Sequence, residues 1–403
     1  MTDSAPPRCG IDTVAIARIE RLLRESPDED LRKLFSAAEL GDSGPGPGRA
    51  ASLAARFAAK EACLKLFPRE TTLGLLGPAD FSVTRDGYGA ARVECSPAAL
   101  DVLARHRVRA LALSLSHDRT TASAVAMTEP AETAVPTIGK LAYHLLPVRR
   151  RVILENLRRV FGSTSSEAEI TRLAQAHYAH LARLLGEFVR YAWISPARRA
   201  ALVRVENVAT LDQALERGKG AIVITGHFGN WEVATAAALS NARFAYARGR
   251  FHFVRREFKP RWVDALVTRR FRRAGFGTLP KRGALDAIVA CLEKGDMAVF
   301  PFDQHASGRD SVKVEFFGHP AGTFRSVAII ALATGAPVLP AASWREPDGR
   351  HVLRFEDPLP VIECDDVDEA IRRNTRSYNA ALERLILRHP EQWWWAHRRW
   401  KAA

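Results

Sequence analysis

The stretch GKGAIVITGHFGNWE, running from Gly218 to Glu232, decides the fold of the larger part of this chain. Its centre, Ala221 to Thr225, is a short apolar run rich in β-branched residues, the pattern of a strand buried on both faces. A histidine flanked by Gly226 and Gly229 follows, and a carboxylate stands five positions after it. Residues five apart on an unbroken helix differ by roughly 140° in azimuth, so His227 and Glu232 cannot face each other from one helix. His227 is therefore expected ahead of a helix and Glu232 in its first turns, with the two glycines supplying the freedom for the turn between them. A histidine titrates near neutrality, and a carboxylate can orient it and stabilise its charged form. The pair therefore suits removal of a hydroxyl proton during acyl transfer, with no acyl-enzyme required.

Working outward, strand-like runs such as AIVIT at Ala221 and MAVFPF at Met297 alternate with helical ones such as DAIVACLEK at Asp286, which predicts an α/β core. Helix formers precede it from Ile138 to about Arg199. They include the basic amphipathic piece PVRRRVILENLRRVF, where Val152, Leu154, Leu157, Val160 and Phe161 share an apolar side. Further upstream the apolar run Thr121 to Met127 gives way to TEPAETAVPT, a polar stretch with two prolines. The expected organisation is a first domain over 1–128, a linker over 129–137 and a second domain over 138–403. Within the first, GPGPG at Gly44 breaks the chain, the Ala-rich run Arg49 to Phe67 reads as a helix stopped by Pro68, and DGYG at Asp86 reads as a hairpin turn. That makes it α+β. There is no internal repeat.

A length of 403 residues exceeds what one core usually organises, in keeping with two domains. The net charge of +14 is unevenly placed: residues 1–130 carry 17 basic and 17 acidic side chains, so the whole excess lies in the second part. An Arg-dominated surface suits phosphate-bearing partners, whether nucleic acid, anionic lipid or an acidic carrier protein. The arginines at 269, 270, 272 and 273 lack the aromatic interleaving of a nucleic-acid site and read as a solvated or lipid-facing helix. The five cysteines are scattered without zinc spacing, and neither a signal pattern nor a membrane-spanning run is visible, so a cytoplasmic protein is expected.

Three segments of the first domain carry its chemistry: GIDTVAIARIE from Gly10, SLAARFAAKEACLKLF from Ser52, and SLSHDRTTASAVAM from Ser114. In this order and spacing they resemble the holo-acyl-carrier-protein synthase family, the small phosphopantetheinyl transferases. The resemblance implies transfer of 4'-phosphopantetheine from coenzyme A to a serine of an apo acyl carrier protein. Such a reaction displaces one phosphate of a diphosphate, so negative charge must be neutralised. Mg²⁺ prefers carboxylate oxygens, and Asp12 and Glu61 are the expected metal ligands. Lys60 is expected to stabilise the diphosphate or help activate the serine, with Lys65 adding charge one turn on. By resemblance Arg18 docks the carrier, Ser116 and His117 contact the coenzyme, and the family's habit implies a homotrimer. The apolar segment Pro68 to Ala79 departs from the family's more polar one, which bears on coenzyme affinity.

The HxxxxE segment resembles the lysophospholipid acyltransferase superfamily, and within it the lipid A late acyltransferases, the Kdo-dependent lauroyl and myristoyl transferases. RRRVILENLRRVF, FPFDQHASGRDSVKVEFFGHPAGTF from Phe300 and PEQWWWAHRRWK from Pro390 extend the likeness over about Ile138 to Lys401. It implies that Asp303 and Gln304 line the site and that Arg255 or Arg256 holds acceptor phosphate or the forming oxyanion. His305 stands where the family usually has a second aspartate, which bears on acceptor choice. The family's membrane-spanning N-terminal helix is replaced by the transferase domain. Peripheral attachment to the cytoplasmic face of the inner membrane is therefore expected, through the basic segment Arg149 to Phe161 and the tryptophans 393, 394, 395 and 400.

The expectation is thus a bifunctional enzyme that matures an acyl carrier and transfers an acyl group from it to a hydroxyl of a lipid or glycolipid. The alternative is a glycolipid acyltransferase using acyl-coenzyme A, with a silent first domain that only docks the carrier.

Overall fold

The computed structural model describes residues 8–401 apart from 73, 87–88, 131–132, 147, 256–258 and 281–284. The chain divides into two compact units, 1–134 with 161–170, and 135–160 with 171–403. Residues 161–170 thus group with the first unit, inside the span expected to belong wholly to the second.

The first unit contains strands β1 (Cys9–Ala15), β2 (Phe81–Arg85), β3 (Ala91–Cys95), β4 (Val108–His117) and β5 (Thr121–Pro130). β5 runs two residues past the expected end of the domain at 128. β1, β5 and β4 form an antiparallel sheet in that order, and β2 pairs with β3 as the hairpin read from DGYG, whose Gly87 and Tyr88 lie outside the described residues. The helix Arg49–Leu64 lies across one face of the sheet. Ala54, Ala58 and Ala62, spaced by four, are fully buried, and small side chains let the backbones approach. The approach is closest at Gly10, where a Cβ would stand 2.2 Å from the Ala62 carbonyl oxygen. Val14, Ile19, Phe57, Ala122 and Ala124 complete this core. On the opposite face Ile11 and Met127 are exposed. The segment after Pro68 contains a short helix, Arg69–Thr72.

The second unit carries β6 (Val203–Glu206), β7 (Ala221–Thr225), β8 (Phe251–Arg255), β9 (Phe276–Pro280), β10 (Met297–Pro301), β11 (Ser311–Phe316), β12 (His319–Phe324), β13 (Val338–Arg345) and β14 (His351–Phe355). Seven of them form a sheet in the order β6-β14-β13-β7-β10-β8-β9, parallel except between β13 and β14, while β11 and β12 make a separate hairpin. β7 and β10 are central, which explains their unbroken apolar sequences: both faces are covered. Helices Thr137–Leu145, Arg150–Phe161 and Glu167–Trp193 precede the sheet. No helix among the described residues is long and apolar enough to cross a membrane.

Two expectations about membrane contact need correction. On the Arg150–Phe161 helix the fully buried stripe is Ile153, Leu157 and Phe161, while Val152, Leu154 and Val160 are half-buried, so the apolar side faces protein. Trp393 and Trp395 are core residues meeting edge to face at 4.6 Å, and Trp400 is half-buried; Trp394 alone of the four is exposed.

Candidate active sites

In the second unit the register of the sheet builds the site. β7 and β10 are adjacent and parallel, with Thr225 opposite Pro301. His227 lies two residues beyond Thr225 and Asp303 two beyond Pro301, so the strands deliver both side chains to one place at their carboxyl ends, where open α/β sheets bind ligands. Asp303 Oδ1 is 2.9 Å from His227 Nδ1, and Oδ2 accepts the His227 backbone N–H at 2.7 Å. Gly226 makes room for this: a Cβ there would come within 2.9 Å of Asp303 Oδ2. Gly229 adopts φ +50° against the Ser343 carbonyl, and Asn230 caps the helix Trp231–Ala238 through the Val233 N–H at 3.3 Å. His227 thus precedes the helix and Glu232 sits in its first turn, as the five-residue spacing required.

The carboxylate that holds the imidazole is Asp303, which corrects the orienting role expected of Glu232 and the lining role expected of Asp303. Nδ1 has one hydrogen to give and faces Asp303; Glu232 contributes its negative charge from the helix start. Burial alone would lower the His227 pKa, but Asp303 and Glu232 together outweigh it and raise it above the usual value. Asp303 is itself buried, which favours its neutral form, yet His227 and its N–H donors hold it down at about 2. Nε2 is left for a substrate, with the Gln304 amide nitrogen at 3.4 Å and 30% of the ring exposed.

Sequence reading missed the contribution of the C-terminal segment. Trp393 donates its indole N–H to Asp303 at 2.8 Å, the Trp394 N–H reaches the His227 carbonyl at 3.1 Å, and the Gly229 N–H reaches the Gln392 carbonyl at 2.9 Å. His397 belongs to the same electrostatic neighbourhood, its pKa pushed down to about 4 chiefly by burial. Arg255 is turned away from the acceptor role: its guanidinium binds Asp264 at 2.6 Å and Thr268 at 2.7 Å, so its charge is compensated within the fold. Arg256 lies outside the described residues. His305 is less basic than usual, mainly through burial.

In the first unit, the close crossing at Gly10 sets β1 against the end of the Arg49–Leu64 helix. Asp12 is half-buried and its Oδ1 accepts from Lys65 Nζ at 2.6 Å; Glu61, also half-buried, lies one turn before Lys65. These hard oxygen donors on adjoining elements have the chemistry a Mg²⁺ site needs. Arg18 is exposed on the helix Ile16–Glu25, with its guanidinium over Phe57 at 5.4 Å, and lines a groove of about 320 Å³ with Arg21 and Leu22.

Lys60 is a correction. It is fully buried, paired with the equally buried Glu39 at 2.7 Å and bound to the Pro78 carbonyl at 3.2 Å. Adjacent helical residues point about 100° apart, so a helix that turns Glu61 outward turns Lys60 into the core. Glu39 also accepts the backbone N–H groups of Ser36 and Val83, at 2.7 and 2.8 Å. Lys60 is therefore held inside the fold by Glu39 and the Pro78 carbonyl. His117 and Ser116 are both exposed at the end of β4. Ser116 stands opposite Ser123, itself opposite Thr13, so it shares the open face of the sheet with Ile11, while Asp12 belongs to the helix-covered face. The two are not brought together within one chain.

Comparison with known proteins gives these geometries a family. Residues 123–402 match the bacterial lipid A biosynthesis acyltransferases, and residues 8–124 the 4'-phosphopantetheinyl transferase superfamily. The chain is 27% identical over 270 residues to a lipid A biosynthesis lauroyltransferase of Escherichia coli, covering 66% of this chain and 83% of that one. A phosphatidylinositol mannoside acyltransferase of Mycolicibacterium smegmatis is 27% identical over 197 residues, 48% of this chain and 62% of that one. A holo-[acyl-carrier-protein] synthase of Trichlorobacter lovleyi is 38% identical over 109 residues, 27% of this chain and 86% of that one. Both parts are thus transferases by descent. The chain belongs to the bacterial lipid A biosynthesis acyltransferase family and carries, ahead of that region, a member of the holo-acyl-carrier-protein synthase family.

Proposed function

We propose that the second unit transfers a fatty acyl group from an acyl carrier protein to a hydroxyl of a lipid or glycolipid, and that the first unit installs the carrier's phosphopantetheine arm. The observation that carries the reading is the His227–Asp303 pair, with Nδ1 engaged at 2.9 Å and Nε2 free of the carboxylate. In the acyl transfer Nε2 takes the acceptor's hydroxyl proton as that oxygen attacks the thioester carbonyl. Asp303, with the charge of Glu232, stabilises the imidazolium formed. The C–S bond then breaks and the imidazolium returns the proton to the leaving thiolate, so no acyl-enzyme is needed. Gln304 lines the approach to Nε2.

In the first unit the carrier serine attacks the phosphate attached to pantetheine in coenzyme A, and the bond to the remaining nucleotide phosphate breaks. Asp12 and Glu61 would hold a Mg²⁺, which supplies neutralisation of the diphosphate. Lys65 adds positive charge beside them, and Arg18 with its groove meets the acidic carrier. The exposed Ile11 and Met127 on the open sheet face suit self-association as a trimer, which would present the Ser116 face to a neighbouring chain. We place the protein at the cytoplasmic face of the inner membrane.

His227→Ala tests the first part: acyl transfer is expected to be abolished while carrier modification persists, and loss of both would contradict independent sites. Within one chain the Ser116 face is not brought to Asp12, which favours one competing reading, a silent first unit that only docks carrier for a glycolipid acyltransferase using acyl-coenzyme A. Incubation with apo carrier, coenzyme A and Mg²⁺, followed by mass spectrometry of the carrier, separates the two; no mass gain with any carrier selects docking.

A further inference from the structure

The helix Thr137–Leu145 has an apolar edge that the described residues leave exposed. One side of it is fixed against the helix Glu167–Trp193: a Cβ on Gly139 would stand 2.4 Å from the Gln175 carbonyl oxygen, and Tyr143 meets Tyr178 edge to face at 5.6 Å. With Gly139, Ala142 and Tyr143 turned inward, Ile138, Leu141 and Leu145 emerge together on an adjoining side, within an arc of roughly 60°. Leu146 and Val148 continue the row into the following loop. All five are between 49% and 66% exposed, a contiguous run rather than scattered surface leucines.

Charge identifies what covers it. Residues 135–160 hold six Lys and Arg against one acid, Glu155, which already pairs with Arg151 at 2.7 Å. Lys140 on the same helix, and Arg149 and Arg151 directly after the row in sequence, are exposed. A second copy of the chain would set these cations against their own kind, whereas phosphates above an acyl layer match both the charge and the apolar row. The edge is also tied to the reaction. Arg149 donates to the Ala396 carbonyl at 3.0 Å and Asn156 to the Trp395 and His397 carbonyls at 2.8 Å, the same segment that holds Asp303.

We propose that this helix and loop form a docking surface for an anionic phospholipid bilayer, with Ile138, Leu141, Leu145, Leu146 and Val148 entering the acyl boundary and the basic side chains meeting phosphates. The proposal rests on the reading that the second unit acylates a lipid, and it assigns the surface through which that unit reaches its acceptor.

The test floats the full chain with vesicles of phosphatidylglycerol and phosphatidylethanolamine, and separately with phosphatidylcholine alone. Binding to the anionic vesicles is expected, weaker by about tenfold on phosphatidylcholine. It should fall at least about tenfold in a Leu141→Ser, Leu145→Ser, Leu146→Ser variant, and also in Lys140→Glu, Arg151→Glu. All these side chains are exposed, and circular dichroism with thermal melts checks the fold. Acyl transfer to acceptor dispersed in non-ionic detergent should stay within about twofold of the wild type in both variants. Flotation of the leucine variant equal to wild type overturns the proposal. So does a wild-type chain that fails to float and instead self-associates in a leucine-dependent way. Vesicle binding that is lost as expected, with no acyl transfer from any protein in detergent, upholds the surface and sinks the lipid acyltransferase reading instead.

Discussion

Trp393 donates its indole N–H to Asp303 Oδ2 at 2.8 Å, from a position 90 residues further along the chain. With the His227 ring and backbone N–H groups, this gives one buried carboxylate three nitrogen donors. The aspartate is thereby fixed in place and kept ionised, its pKa near 2 despite burial. An ionised, fixed Asp303, with the smaller contribution of Glu232, lifts His227 above its ordinary pKa against the effect of burial.

Asp303→Asn is expected to lower kcat for acyl transfer by about 10³- to 10⁴-fold, since the amide no longer selects the Nδ1–H tautomer or stabilises the imidazolium. The sign of the pH effect follows from the same pair. His227 is raised by Asp303 against a burial effect that lowers it, so without the charge burial has less opposition and the acid limb of kcat/KM moves to lower pH. A pH–rate profile on residual activity checks this; an unmoved limb would detach Asp303 from the titrating histidine.

Trp393→Phe should move the limb the other way. Removing the indole donor leaves more of the Asp303 charge to act on His227, which raises the imidazole further. The lost hydrogen bond to a charged group corresponds to a rate loss of about tenfold. Opposite pH displacements from these two variants are a signature that general destabilisation of the buried tail would not give.

Much of the acyl-transfer site was legible in the sequence because its parts are local. AIVIT followed by GHFGNWE encodes a buried strand, a tight turn and a helix start, and these place His227 and Glu232 correctly. Which carboxylate holds the ring was not legible, because it depends on the pairing of β7 with β10, a contact across 76 residues. The equal offsets of His227 and Asp303 beyond two apolar runs were the available signal. The tryptophan-rich tail misled for a related reason: composition alone does not distinguish a buried aromatic donor from a membrane-facing one. In the first unit, KEA suggested two adjacent functional residues, but helical geometry separates Lys60 from Glu61. The partner of Lys60 was written as SAAE at Ser36, a capping box whose glutamate also reaches the core.

Lys60→Met tests that structural assignment. It leaves Glu39 buried and charged without its cation, so a loss of about 3–5 kcal/mol is expected, read as a fall in the melting temperature of the first unit. Adding Glu39→Gln removes the stranded charge and should recover part of the loss. Phosphopantetheinyl transfer per folded molecule should remain within about threefold of wild type in the double variant. A drop of several hundredfold in a folded protein would return Lys60 to the catalytic set.

The Asp12–Lys65 pair makes a sharper demand on the metal proposal. Lys65 Nζ lies 2.6 Å from the Asp12 oxygen that would bind Mg²⁺, but the lysine is half exposed, so the contact is worth only about 1 kcal/mol or less. A divalent ion must compete with it or share the carboxylate. Lys65→Ala should therefore lower the Mg²⁺ concentration for half-maximal carrier modification by a few-fold, while raising KM for coenzyme A because a cation near the diphosphate is gone. Asp12→Asn should instead reduce carrier modification by roughly 100-fold or more at any Mg²⁺ concentration, with acyl transfer untouched. Titrating Mg²⁺ against both variants decides the matter. If Lys65→Ala raises the Mg²⁺ requirement, the ammonium supports the metal instead of competing with it, and Asp12 is not the ligand the ion displaces it from.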